Sequence, residues 1–208
     1  MVDEQLRARG IVDERVLAAM SVVPREQFVP EAECARAYDD DALPIGAGQT
    51  ISQPYMVALI CSLLRLDGGE RVLDVGTGSG YQAAVLAELG ADVVSIERVP
   101  ELAAQARQAL EAAGYAGRVH VHVGDGTRGF SEGAPYAAVA VAAAAPRVPE
   151  PLYEQLAEGG RLVLPVGPRR QQLLQLVVRL PDGPQASFSV PCRFVPLVGA
   201  AGFRGEDG

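Results

Sequence analysis

The chain has 208 residues, 49% of them hydrophobic, which is enough for one α/β domain with a sizeable core and cramped for two. Its eighteen basic residues are all arginine, which excludes Schiff-base chemistry, pyridoxal phosphate anchoring and a phosphate-loop lysine. The net charge of −8 argues against a nucleic-acid partner, which wants a basic face.

Cys34, Cys61 and Cys192 are odd in number and far apart, with no CxxC pair, so neither a metal site nor a disulfide framework is expected. No apolar run reaches the roughly 20 residues that span a bilayer. The opening segment MVDEQLRARGIVDERV has no apolar signal-peptide core. The expectation is a cytoplasmic monomer with no membrane contact.

Residues 1–36 read as helical, from the spacing of Leu6, Ile11, Val16, Leu17 and Met20. Pro24 and Pro30 bracket a short turn, VPREQFVP. Residues 38–53 are rich in Gly, Pro and Asp and read as an ordered loop. Pro54 suits the first turn of a helix running to about Arg65, with Ser52 or Gln53 near its cap.

From Arg71 the pattern alternates. RVLDV predicts a buried strand, GTGSG a turn and YQAAVLAEL a helix stopped by Gly90. DVVSIE is a second strand, ELAAQARQALEAAG a helix and RVHVHVG a third strand. YAAVAVAA and GRLVLPVG read as two more strands, with PEPLYEQLAEGG a helix between them. QQLLQLVVRL and ASFSVPCRFVPLV suggest late, antiparallel strands. Alternating strands and helices imply a doubly wound, mostly parallel sheet of Rossmann-like type, with an N-terminal helical extension. One domain over 1–208 is expected: helices and a loop in 1–65, a ligand-binding core in 71–167 and late strands in 168–208.

The sharpest local signal is LDVGTGSGY, residues 73–81. Gly76, Gly78 and Gly80, with Thr77 and Ser79 between them, let the backbone turn sharply and approach a ligand. The helix that follows presents its N-terminus to a negative group such as a carboxylate. A dinucleotide fingerprint would be GxGxxG, with glycine where this chain has Tyr81. The spacing therefore favours a cofactor without a pyrophosphate. Glu97 ends the second strand about 20 residues on, where an acid can accept both ribose hydroxyls of a nucleoside. Arg98 follows it. Asp125, with Gly126, ends the third strand and is placed to meet an adenine amino group. The alternative is a tight glycine turn with solvated acidic caps. Agreement of loop, spacing and three strand ends favours the ligand site.

A glycine loop after strand one and acids after strands two and three resemble class I S-adenosylmethionine-dependent methyltransferases. The fuller resemblance is to the protein-L-isoaspartate (D-aspartate) O-methyltransferase family. It is carried by EQLRARGI, VPREQFVP, PIGAGQTISQPYMVA, VLDVGTGSGYQAAVLA, GDGTRGF and AAAPRVPEPLYEQLAEGGRLVLPVG, with RFVPLVG near the end. It covers nearly the whole chain, and PIGAGQTISQP is its most specific piece. The resemblance implies methyl transfer from S-adenosyl-L-methionine, leaving S-adenosyl-L-homocysteine, to the α-carboxylate of isoaspartyl residues in damaged proteins and peptides. It makes Ser52 the active-site serine, with a positioning role. Alone, a loop serine before proline more often caps a helix. It makes Thr50, Ile51 and Gln53 lining residues, and gives Leu197 and Val198 to a segment that closes over the peptide. The family often has Asp before the fourth strand and Thr after it, where this chain has Ala137 and Ala142.

The transfer needs no base, since a carboxylate of pKa about 3.5 is ionised at neutral pH. The only histidines, His120 and His122, share one strand face and read as structural. Two other readings stay open. A class I methyltransferase acting on a small molecule would not need QTISQP or RFVPLVG. A nucleoside-binding module would keep the fold without turnover. A nucleic-acid methyltransferase is weaker, lacking an Asn/Asp-Pro-Pro-aromatic motif after the fourth strand.

Overall fold

A computed structural model describes residues 1–204. Nine strands and five α-helices occur in this stretch. A central seven-stranded sheet is built from β3 (Arg71–Val75), β4 (Asp92–Glu97), β5 (Val119–Val123), β6 (Tyr136–Val141), β7 (Leu156–Val166), β8 (Gln172–Leu180) and β9 (Gly183–Cys192). Their order is β5-β4-β3-β6-β7-β8-β9. Pairings from β5 to β7 are parallel, and β8 and β9 add antiparallel. The expected parallel sheet with late antiparallel strands is therefore present.

The sheet is apolar on both faces because helices cover both. Val72, Val93, Ala138, Ala140 and Val163 join one core with α1 (Glu14–Val22), α2 (Pro54–Leu64) and α3 (Tyr81–Glu88). Their strand neighbours Leu73, Val94, Val139 and Leu162 point the other way, into a second core with Leu152 of α5 (Glu150–Glu154). That alternation is the two-residue period of a strand. Truncating a fully buried residue such as Leu73 to Ala would cost about 2–5 kcal/mol. Between β4 and β5 runs α4 (Pro100–Ala112), whose Leu102, Ala103, Ala106 and Leu110 are buried. The strand order reverses beside β3, between β4 and β6. In open α/β sheets the ligand crevice lies at that point, beyond the strands' carboxyl ends.

Four local expectations change. Residues 1–36 are helical in pieces rather than continuously. Val2–Leu6 is wound as a π-helix, and Arg7–Arg9, Arg25–Phe28 and Glu31–Arg36 are 3₁₀ turns. Gly10, at φ 88°, ends the first stretch, and Asp13 starts α1 by accepting from the amides of Arg15 and Val16. Residues 38–53 are not only a loop: β1 (Leu43–Gly46) and β2 (Gln49–Ile51) form a hairpin. Its strands are short and Gly-rich, so no period of two stands out. The stretch PEPLYEQLAEGG holds only the five residues of α5, because Leu156 already pairs with Tyr136 in β7. Lastly, RFVPLVG is not a strand; it carries isolated bridges from Pro196 to Ala144 and from Val198 to Phe203.

Candidate active site

The site is built where β3 and β4 end. Gly76 leaves β3 at φ 89°, and its amide and that of Thr77 both donate to the Ile96 carbonyl, closing the turn onto β4. The Gly78 amide donates to Glu97 Oε2 at 2.9 Å, and the Val99 amide to Oε1 at 2.9 Å. Glu97 is only 7% exposed, and each carboxylate oxygen keeps lone-pair capacity toward the crevice it lines. Gly80, at φ 91°, starts α3; a Cβ there would stand 3.2 Å from Leu110 of α4, so its glycine serves helix packing.

From above, the hairpin presses on the loop. A Cβ on Gly78 would lie 3.2 Å from Ile45 Cδ1. This packing brings Thr50, Ile51 and Ser52 over the glycine loop. The crevice is lined by those three, by Gly76, Thr77, Gly78 and Ser79, by Glu97 and Arg98, and by Gly126, Leu197 and Val198. Twelve of the residues expected from sequence thus converge. Three do not line it. Gln53 is the N-cap position of α2, and its amide group donates to Asp40 Oδ2 at 3.1 Å. Gly80 lies behind the loop. Asp125 turns its carboxylate to the protein, accepting from Thr127 N at 3.0 Å, Thr127 Oγ1 at 2.7 Å and Ala200 N at 2.8 Å. Partial burial alone would raise the Asp125 pKa, but these hydrogen bonds outweigh it and hold the carboxyl below its usual range.

Ser52 is half-buried, and its hydroxyl bonds no described residue. Its carbonyl accepts from Arg25 Nη2 at 2.8 Å. Ala142 lines the crevice beside Gly76, whereas Ala137 is the second residue of β6 and lies outside it. His120 is exposed near Asp92, and His122 stacks on Phe130 at 4.3 Å between centroids; neither lines the crevice.

The sequence reading missed a buried polar network beneath the loop. Asp74, fully buried in β3, accepts from Gln82 Nε2 at 2.8 Å and Ser95 Oγ at 2.7 Å. Ser95 Oγ in turn lies 2.5 Å from Thr77 Oγ1. Because the Ser95 proton points to Asp74, the Thr77 hydroxyl donates to Ser95. Burial pushes the Asp74 carboxyl up to about 6, against the pull of those two hydrogen bonds. The available signal was an acid inside an otherwise apolar strand, which needs buried partners.

The donor set fits a nucleoside with an amino-acid tail. Glu97 suits ribose hydroxyls, and the loop opening α3 suits a carboxylate. Among the lining residues the one cation is Arg98, which is exposed, so a pyrophosphate finds no cradle. Fold and crevice together define a class I, S-adenosylmethionine-dependent methyltransferase.

The profile of the protein-L-isoaspartate(D-aspartate) O-methyltransferase family matches residues 1–202. A protein-L-isoaspartate O-methyltransferase of Methanoculleus marisnigri is 55% identical over 207 residues, covering 99% of this chain and 93% of that one. A protein-L-isoaspartate O-methyltransferase 2 of Marinobacter nauticus is 58% identical, covering 98% and 93%. Among solved structures, a protein-L-isoaspartate O-methyltransferase superposes with a TM-score of 0.87 at 30% identity, covering 97% of this chain and 67% of that one. A second structure, from Plasmodium falciparum and in complex with S-adenosyl-L-homocysteine, gives 0.79 at 26% identity, covering 93% and 95%. The chain belongs to the protein-L-isoaspartate(D-aspartate) O-methyltransferase family.

Proposed function

We propose that this chain repairs damaged proteins and peptides by methylating the α-carboxylate of their L-isoaspartyl residues, with Ser52 positioning the acceptor. The observation that carries the assignment of roles is the Ser52 hydroxyl, bonded to none of the described residues and lining the same crevice as the glycine loop and Leu197–Val198. S-Adenosylmethionine, when bound, supplies an electrophilic methyl group on a sulfonium. Glu97 holds the ribose hydroxyls through its remaining lone pairs. The Gly76–Gly80 turn and the start of α3 hold the amino-acid end, with Thr50, Ile51, Arg98 and Gly126 as further walls. Gln53 acts indirectly, by fixing the start of α2. Asp125 contributes through the C-terminal segment that it ties down.

On the acceptor side, the Ser52 hydroxyl donates to the incoming carboxylate and fixes which oxygen faces the methyl group. Leu197 and Val198 wall the crevice beside it and keep water out. No proton has to be removed, since the acceptor is already an anion at neutral pH with a pKa of about 3.5. The absence of His120 and His122 from the crevice costs the reaction nothing. Good orientation of the two reactants supplies roughly 7–11 kcal/mol of the barrier.

The chain acts in the cytoplasm as a single-domain monomer and binds neither nucleic acid nor membrane; residues 205–208 of its last segment lie outside the described residues. The acidic net charge supports the exclusion of nucleic acid, and no helix among the described residues is long and apolar enough to cross a membrane. Uptake of labelled methyl into an isoaspartyl peptide tests the proposal. Binding of S-adenosylhomocysteine without any uptake would instead mark a binding module.

A further inference from the structure

Arg25 is fully buried, and its guanidinium makes no ion pair among the described residues. Its Nε donates to the Ala37 carbonyl at 2.6 Å and its Nη2 to the Ser52 carbonyl at 2.8 Å. Its Cζ lies over the Tyr81 ring, 4.7 Å from the centroid, and Nη1 is buried with no hydrogen-bond partner among the described residues. Burial pushes the guanidinium below its ordinary pKa, against the pull of Tyr81 and Asp40.

Such a charge is expensive to bury, and an apolar residue of similar volume would often be at least as stable in its place. Fold stability therefore gives a poor account of it. What it joins gives a better one. Ala37 leads into the hairpin segment, Ser52 is the acceptor-side serine, and Tyr81 is the first residue of α3, directly behind the glycine loop. Among the described residues the Ser52 carbonyl has no backbone partner, since the first turn of α2 is closed by the Gln53 carbonyl. One rigid fork thus links the acceptor side of the crevice to the cofactor side. Phe28, from the same turn as Arg25, meets the Tyr81 ring edge-on at 5.7 Å, with the ring planes 61° apart.

We infer that Arg25 is a positioning residue for methyl transfer, which sets Ser52 at a fixed distance from the glycine loop. The inference rests on the assignment of Ser52 to the acceptor. Lysine cannot replace it: an ammonium is a point charge without the fork or the stacking face.

The test compares Arg25→Lys and Ser52→Ala with the wild type on one isoaspartyl peptide. Each is measured for melting temperature, S-adenosylhomocysteine affinity, kcat and KM, with amide exchange at residues 50–53 for Arg25→Lys. A misplacement of about 1 Å costs roughly 100-fold in rate. Arg25→Lys is therefore expected to melt cooperatively and bind S-adenosylhomocysteine within about threefold of wild type, while kcat/KM falls roughly 100-fold and residues 50–53 exchange faster. Wild-type kcat/KM overturns the inference, as does loss of cofactor affinity in parallel with turnover. If Arg25→Lys does not fold, Tyr81→Leu removes the face the guanidinium lies on. Tyr81 also lines the cofactor crevice, so that variant is read at saturating S-adenosylmethionine: kcat/KM for the peptide is expected to fall, and wild-type kcat/KM in a folded Tyr81→Leu overturns the clamp. An impaired Ser52→Ala beside an unimpaired Arg25→Lys removes the clamp alone. An unimpaired Ser52→Ala removes the assignment beneath it.

Discussion

Asp125 Oδ2 accepts a hydrogen bond from the amide of Ala200, joining the end of β5 to the C-terminal segment that walls the crevice. Thr127 completes the latch. Its hydroxyl donates to Asp125 Oδ1 at 2.7 Å and accepts from Ala201 N at 3.0 Å. Gly199 lies so close that a Cβ there would collide with the Asp125 carboxylate. An acid that the sequence assigns to adenine is thereby committed, in this structure, to holding Leu197 and Val198 in place.

Thr127→Val keeps the shape and removes both hydroxyl bonds. Each is worth about 0.5–1.5 kcal/mol. The expected result is a peptide KM raised by roughly 5- to 150-fold, with S-adenosylhomocysteine affinity unchanged. Steady-state kinetics beside calorimetry checks this. Weakened cofactor binding with an unchanged KM would place Thr127 on the other side of the site.

Glu97→Ala removes the carboxylate that fixes the amides of Gly78 and Val99 and faces the crevice. A charge-assisted hydrogen bond contributes about 1.5–3 kcal/mol, so S-adenosylhomocysteine affinity should fall roughly 10- to 150-fold by calorimetry. NAD should not bind either protein. Tight NAD binding without affinity for S-adenosylhomocysteine would contradict the cofactor assignment.

Ser52→Ala should keep cofactor affinity, because the Ser52 hydroxyl is not bonded to the glycine loop. Loss of one hydrogen bond to a charged acceptor, about 1.5–3 kcal/mol, lowers kcat/KM roughly 10- to 150-fold. Unchanged kcat/KM for an isoaspartyl peptide would refute the role.

Asp74 makes stability depend on pH. Its folded pKa, about 6, lies above the ordinary value of 3.8. A raised carboxyl pKa favours folding while the group is protonated, so this contribution is complete below about pH 4 and is lost as pH rises to about 6. Above that it is flat. Two pK units correspond to on the order of 3 kcal/mol. Asp74→Asn cannot ionise. Its melting temperature, minus that of the wild type, should therefore rise between pH 4 and pH 6.5 and level off beyond. A difference that falls over the same range would contradict the assignment.

The sheet and its crevice were legible because their signals are local. The RVLDV strand, the glycine turn and Glu97 sit within a short stretch, and strand and helix periods announce the elements around them. The hairpin at 43–51 was not legible, since three- and four-residue strands carry too little period to read. Nor was the latch, because Asp125 and Ala200 are 75 residues apart and nothing in either segment names the other. Nothing in the segment VPREQFVP marks Arg25 as buried. Its burial follows from Ala37, Ser52 and Tyr81 converging on it, which is a property of the fold. Ser52 was legible only through resemblance, as its local pattern reads equally well as a helix cap.

The most direct test of the central claim uses two peptides that differ in one linkage. In isoaspartate the chain continues through the side-chain carbonyl and leaves a free α-carboxylate beside the peptide. In aspartate the carboxylate stands one methylene further out. A crevice that fixes the carboxylate through Ser52, with Leu197 and Val198 beside the flanking backbone, brings only the first into line with the methyl group. A displacement of about 1 Å costs roughly 100-fold, so labelled methyl uptake should favour the isoaspartyl peptide by at least about 100-fold. Equal uptake by both peptides would contradict the account, even with methyl transfer intact.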